Sequence, residues 1–181
     1  MRNLVAEDLG RRIRQTVRDV HDFPQKGVVF KDITPLIADP DLFQAIIKTI
    51  AGDAASESVD IVVGIESRGF IFGAPVALAL GCGFVPVRKP GKLPYKTERI
   101  EYALEYGSDV LEVHRDAVRP GQRVLIVDDV LATGGTAAAT ATLLERLGAV
   151  VTSLAFVIEL GFLRGRDRLK AWPVRSLVSY D

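Results

Sequence analysis

The residues with the clearest chemical potential lie in one block, VLIVDDVLATGGT, running from Val124 to Thr136. An apolar run ends in two adjacent acids, Asp128 and Asp129. A short loop follows, Ala132 to Thr136, in which Gly134 and Gly135 sit between Thr133 and Thr136. In an open α/β sheet, ligands bind beyond the carboxyl ends of strands. Two glycines let the backbone approach an anion without a Cβ in the way. Two threonines add hydroxyl donors, and the free N–H groups and dipole of a following helix favour a phosphate. Carboxylates repel a phosphate, so Asp128 and Asp129 suit hydroxyl groups one sugar length away. The combination calls for a ribose 5-phosphate. The plainer alternative is an acidic strand end with Thr133 capping a helix, but folding alone does not require the whole block.

Other phosphate and metal chemistries find no support. No G-x-x-x-x-G-K-[ST] occurs, and GCGFVP at Gly81–Pro86 lacks the third glycine of a dinucleotide motif and opens no helix. His21 and His114 have no metal spacing, and the lone Cys82 rules out an internal disulfide. A second candidate turn is Gly64–Gly69, a strand end followed by Arg68, whose forked donors suit a pyrophosphate. The run RGRDRLK at Arg164–Lys170 reads as a solvated helix face.

Alternating elements must position these residues. Val5, Leu9, Ile13 and Val17 make one apolar stripe on a helix. The segment HDFPQKGVVFKDITP is irregular, with an extended piece at Val28–Phe30. Asp39-Pro40 starts a second helix that buries Leu42, Ile46 and Ile50. Asp60–Ile65 is a buried strand, Ile71–Leu80 a helix stopped by Gly81, and Gly83–Arg88 another strand. Lys92–Asp109 is polar without a clean period, and Val110–His114 alternates as a strand. Arg123–Val127, Val150–Ile158 and Val174–Val178 are further strands, with a helix over Thr136–Leu147. The expected fold class is α/β, a mainly parallel twisted sheet flanked by helices.

The totals are those of one domain across residues 1–181, with 48% hydrophobic and 25% charged residues. Twenty-three basic and 23 acidic residues cancel, so no global field favours nucleic acid or an anionic membrane. No apolar run reaches the ~18 residues of a membrane span. The N-terminus has no uninterrupted secretory core and reads as a soluble helix. A single cysteine fits the cytoplasm.

The block resembles the phosphoribosyl-pyrophosphate (PRPP) signature of type I phosphoribosyltransferases. Four more segments resemble the adenine-specific members of that family: DFPQKGVVFKDITPL at Asp22–Leu36, GIESRGFIFGAPVA at Gly64–Ala77, VRKPGKLPYKT at Val87–Thr97, and YALEYGSDVLEVHRDAVRPGQRV at Tyr102–Val124. They occur in the family's order. The resemblance implies transfer of the 5-phosphoribosyl group from PRPP to adenine, giving AMP and pyrophosphate in purine salvage. It implies that Ala132, Thr133, Gly134, Gly135 and Thr136 hold the 5-phosphate and that Asp128 and Asp129 hold the ribose. Ser67, Arg68 and Gly69 match a pyrophosphate loop with a strained peptide, and Lys89 and Lys92 a basic pair facing pyrophosphate.

A mobile loop over about 95–109 is implied to close on the site, with Glu105 as general acid/base and Tyr106 near the ribose. A small N-terminal hood over about 20–38 is implied to receive adenine, through backbone groups at Val29 and Lys31 and stacking on Phe30. Mg²⁺ is implied as cofactor, held by PRPP rather than directly by protein. A cytoplasmic homodimer is the family's habit. Two alternatives stay open: transfer to hypoxanthine, guanine or xanthine, and a PRPP-sensing transcriptional regulator. The second ordinarily needs an added DNA-binding domain, and only about twenty residues precede the hood.

Overall fold

Runs rich in Val and Ile dictate the centre of the computed structural model, which describes residues 2–103 and 107–181, with the side chains of 2–6 left aside. Five strands form one parallel sheet: β3 (Ile61–Ile65), β4 (Gly83–Val87), β7 (Arg123–Leu131), β8 (Val150–Leu160) and β9 (Val174–Tyr180), in the order β4-β3-β7-β8-β9. Strand side chains alternate between faces, and both faces are covered, as a parallel sheet requires. Leu125 and Val127 of β7 enter one core with Phe72 and Val76. Val124 and Ile126 enter the other with Leu143 and Leu144.

Helices make the two outer layers. α1 (Arg2–Thr16), α3 (Pro40–Ala54) and α4 (Gly69–Leu80) pack into the first core through Ile13, Ile46 and Phe72. α5 (Gly135–Arg146) packs into the second. Asp39 caps α3 by accepting from the N–H groups of Asp41 (3.0 Å) and Leu42 (2.9 Å), and Pro40 occupies the first turn. The chain leaves β3 for α4 and β4 on one side, and leaves β7 for α5 and β8 on the other. The strand order therefore reverses between β3 and β7, which is where an open α/β sheet leaves a crevice at its carboxyl edge.

The expected α/β class, with its mainly parallel sheet and small N-terminal addition, is what the chain adopts. Several segments differ in detail. Arg18–His21 (β1) pairs antiparallel with Val29–Asp32 (β2), so the segment read as irregular is closed into a ribbon, and a short helix, α2 (Thr34–Ala38), follows it. The polar stretch after Lys92, given no element from sequence, supplies β5 (Thr97–Ala103), which pairs antiparallel with β6 (Ser108–His114). Only Ile100 of β5 is fully buried, and Tyr102 partly so, which leaves too few apolar positions to show a period. β7 continues past Val127 through both acids to Leu131. β3 has ended by then, but β8 runs on beside it, pairing Asp128 with Phe156 and Leu131 with Glu159.

The solvated helix face expected at Arg164–Lys170 is corrected. Two 3₁₀ turns, Gly161–Leu163 and Gly165–Arg168, occupy the region, and Gly165 and Leu169 are buried. The dense charge of the run masked inward contacts that only tertiary structure creates.

Two substitutions in α3 should separate core from cap. Ile46→Ala, at a position with no exposure, is expected to cost about 2–5 kcal/mol. Asp39→Ala should cost about 1 kcal/mol. Urea denaturation measures both, and a reversed order would contradict this account of α3.

Candidate active site

The crevice between β3 and β7 opens into a cavity of about 660 Å³, a size suited to a phosphorylated nucleotide-sized ligand. Its walls come from five segments: Val28–Lys31 of the ribbon, Ile65–Arg68 at the end of β3, Lys89 after β4, Asp128–Ala137 of β7, its loop and α5, and Phe156 and Leu160 of β8. Of the residues singled out from sequence, Val29, Phe30, Lys31, Ser67, Arg68, Lys89, Asp128, Asp129 and Ala132 to Thr136 all line it. Gly69 packs against β7 instead, and Lys92 is engaged elsewhere. Glu105 and Tyr106 lie outside the described residues.

The two acids are the electrostatic problem of the site. Asp129 is only 3% exposed and Asp128 is partly buried beside it. Asp128 Oδ1 accepts from the Asp129 N–H at 2.9 Å. Burial, and then the charge of Asp129, push the Asp128 carboxyl well above the ordinary carboxylate range. Burial also raises Asp129, against the pull of Arg68. Arg68 Nε stands 2.7 Å from Asp129 Oδ2, yet off the line of a hydrogen bond. Among the described residues, Asp129 Oδ2 is the buried side-chain polar atom left without a hydrogen-bond partner. Hydroxyl donors in the cavity would complete it.

Close backbone approach fixes Arg68. A Cβ on Gly69 would stand 2.8 Å from the Val127 carbonyl oxygen and 2.9 Å from Asp128 Oδ1, so only glycine lets α4 start this near β7. The Glu66–Ser67 peptide before it is cis. Glu66 gathers the basic segment after β4: Lys92 Nζ pairs with it, the Lys89 N–H donates at 2.9 Å, and Arg88 Nε lies 3.3 Å away. Burial opposes the Glu66 charge, but these donors outweigh it and hold its pKa at about 2. Lys92 is thus spent on Glu66, while Lys89 reaches the cavity.

The loop after β7 has the features of an anion cradle. Gly134 adopts φ +78° as the N-cap of α5, and no side chain, Thr133 included, caps that helix. Its first N–H groups are left to a ligand. The hairpin of β5 and β6 is docked here. Tyr102 Oη lies 3.1 Å from Thr136 Oγ1 and 3.2 Å from Asp109 Oδ2, and Asp109 pairs with Lys89 Nζ. Sequence reasoning missed Tyr102, Asp109 and Glu66. The alternation at Val110–His114 marked β6, and that of Ile100 with Tyr102 was the one local signal for β5.

At the opposite wall, Phe30 packs edge-on to Phe23 with ring centroids 5.2 Å apart, and the Arg68 guanidinium sits 5.3 Å from its ring centre. The Lys31 ammonium turns away, 2.6 Å from Asp19 and 4.1 Å above the Tyr180 ring. Residue 31 therefore offers the cavity its backbone rather than its charge.

Comparison with known proteins gives a consistent set. The family profile of the phosphoribosyl transferase domain matches residues 37–178. An adenine phosphoribosyltransferase of Clostridium perfringens is 57% identical over 169 residues, covering 93% of this chain and 98% of that relative. The crystal structure of adenine phosphoribosyltransferase from Thermoanaerobacter pseudethanolicus superposes with a TM-score of 0.91 at 51% identity, covering 94% of this chain and 99% of that one. That of the Saccharomyces cerevisiae enzyme, complexed with an imino-altritol bisphosphate and adenine, has a TM-score of 0.90 at 42% identity, covering 94% and 99%.

The raised acids imply a pH dependence of stability. Between the ordinary aspartate value of 3.8 and the raised one, the folded chain holds more protons than the unfolded chain. Their contribution is complete below about pH 4 and is lost as pH rises through the raised value. Asp128→Asn removes that titration. Its melting midpoint should exceed the parent's near about pH 8 and lose the advantage near about pH 4; a pH-independent difference in thermal melts would refute this.

Proposed function

The chain belongs to the phosphoribosyltransferase family, and from that premise we propose that it transfers the 5-phosphoribosyl group of PRPP to adenine. The products are AMP and pyrophosphate, which makes it a pentosyltransferase of purine salvage. One observation carries the reading: a single cavity joins the backbone of Val28–Lys31 to the acids Asp128 and Asp129 and to the loop Ala132–Thr136. Base, sugar and phosphate each meet the chemistry they need in that order.

In this reading residues 1–181 act as one transferase domain, with a hood at about 20–38 and a closing segment at about 95–109. Thr133–Thr136 direct backbone N–H groups and hydroxyls at the 5-phosphate, and Ala132 completes the loop. Asp128 and Asp129 accept from the ribose hydroxyls. Phe30 stacks on adenine, and backbone groups of Val29 and Lys31 read its edge. Ser67, Arg68 and Gly69 hold the pyrophosphate with Lys89, joined by Lys92 once Glu66 releases it.

Breaking the C1–O bond puts positive charge on the ribose ring and negative charge on pyrophosphate. Arg68 and its neighbouring N–H groups stabilise the leaving charge by preorganised electrostatics. Adenine N9 attacks C1. Glu105 handles the base proton when the hairpin is closed, with Tyr106 near the ribose, and closure excludes water from PRPP.

Mg²⁺ is the proposed cofactor, and it would be held mainly by the diphosphate of PRPP. Among the described residues no three His, Cys, Asp or Glu side chains converge on a metal. The donor set present, two acids with one unbonded oxygen, suits ribose hydroxyls and the hydration shell of an ion held mainly by substrate. When bound, the ion would supply further charge neutralisation at the leaving group. A cytoplasmic homodimer is the accompanying proposal, carried by family resemblance. Among the described residues no helix is long and apolar enough to cross a membrane.

Initial rates with PRPP, Mg²⁺ and each purine test the reading. Adenine should exceed hypoxanthine and guanine in kcat/KM by at least about a hundredfold; no AMP from adenine would end it. In the same assay, Glu105→Gln should lower kcat by about a hundredfold or more while PRPP still binds. Unchanged turnover would remove Glu105 from the chemistry.

A further inference from the structure

The turn Gly161–Arg168, which follows β8, lies directly under the phosphate loop. A Cβ on Gly165 would stand 2.2 Å from the Ala132 carbonyl oxygen, and a Cβ on Gly134 would stand 2.4 Å from the Gly165 carbonyl oxygen. The backbones of turn and loop therefore touch at two points, each passable only for glycine. With no side chain capping α5 and Gly134 at φ +78°, this floor is what braces the loop from below.

The floor is itself clamped. Arg166 donates from Nε to Glu159 Oε1 at 2.7 Å and from Nη2 to Glu159 Oε2 at 2.8 Å, a forked pairing that fixes orientation as well as distance. The remaining donors reach Ser176 Oγ and the Val174 carbonyl oxygen, each at 2.9 Å. Ser176 Oγ also donates to Glu159. Glu159 is 7% exposed, and the Arg166 hydrogen bonds hold its carboxyl below the usual range. One guanidinium thus ties the turn to the carboxyl end of β8 and the start of β9.

We propose that Arg166 is a positioning residue for the 5-phosphate site: clamped to Glu159, it sets the height of Gly165, and Gly165 sets the conformation of Ala132–Gly134. The inference rests on the reading of Ala132–Thr136 as the phosphate loop. A clamp of purely structural value would lower stability without favouring any one substrate. A positioning clamp weakens the phosphorylated substrate selectively, because several N–H groups must converge on one anion.

Steady-state kinetics with the full chain separate the two. Arg166→Lys keeps the charge and loses the fork. It should raise KM for PRPP by about tenfold, or about 1.4 kcal/mol, with KM for adenine moved by less than about twofold. Gly165→Ala, which shifts the floor with Arg166 intact, should show the same selectivity. Ser176→Ala, which removes the two clamp bonds of one hydroxyl and leaves the Arg166–Glu159 fork, should show it more weakly and keeps the test readable if Arg166→Lys does not fold. Asp167→Ala, on the exposed side of the turn, is the control and should move neither KM. Equal changes in both KM values, or lower melting temperatures with KM for PRPP unchanged, would overturn the proposal. If the parent protein itself forms no AMP, the functional reading fails; if only the selectivity is missing, the positioning inference fails alone.

Discussion

Arg68 and Asp129 meet 2.7 Å apart at the point where the strand order of the sheet reverses. Much of the site follows from that contact. Two adjacent carboxylates are carried on the central strand, both pushed toward their neutral forms by burial, and Asp128 further by the charge of Asp129. A strand in that position would ordinarily carry apolar residues on both faces. The acids are tolerated because the crevice leaves one side open to a ligand and because an arginine is brought in from the loop after β3.

Bringing it in makes demands elsewhere. α4 must begin almost on top of β7, which is possible only with glycine at position 69. The loop after β3 is tied to the segment after β4 by Glu66, which takes up the charge of Lys92 and the Lys89 N–H. That leaves the Lys89 ammonium to face the cavity and to meet Asp109, which links the hairpin to the same site. On the far side of the loop, Tyr102 reaches Thr136 and Gly165 supports Ala132. Sugar, diphosphate and phosphate positions are thus mechanically linked through close backbone approaches and side-chain bonds rather than through one large hydrophobic lining.

Much of this was legible in the sequence where local signals were strong. The run RVLIV, the two acids and the TGG turn identified β7 and its loop because burial, charge and glycine all change within a few residues. Asp39-Pro40 announced α3 through a cap and a first-turn proline, and Gly81 ended α4 as expected. Of the hairpin, β6 was legible as the alternating strand at Val110–His114, whereas β5 was not, since Ile100 and Tyr102 are too few among Glu98, Arg99 and Glu101 to set a period. The turn under the phosphate loop was misread for a related reason. Arg166 looks solvated until Glu159, seven positions earlier, and Ser176, ten later, are folded against it. Asp109 and Glu66 belong to the same class, charged residues whose partners lie 20 or more positions away. Pairing over such separations leaves no periodic trace.

The central claim is that the buried acids of β7 recognise the hydroxyls of a ribose whose phosphate lies on the adjacent loop. Calorimetric titration with ribose 5-phosphate and with 2-deoxyribose 5-phosphate isolates that contact. The two share the phosphate and differ by one hydroxyl. Leaving a buried acceptor without its hydroxyl partner costs about 1–3 kcal/mol, so ribose 5-phosphate should bind about 5- to 150-fold more tightly. Equal affinities would contradict the account, because the sugar would then not rest on Asp128 and Asp129.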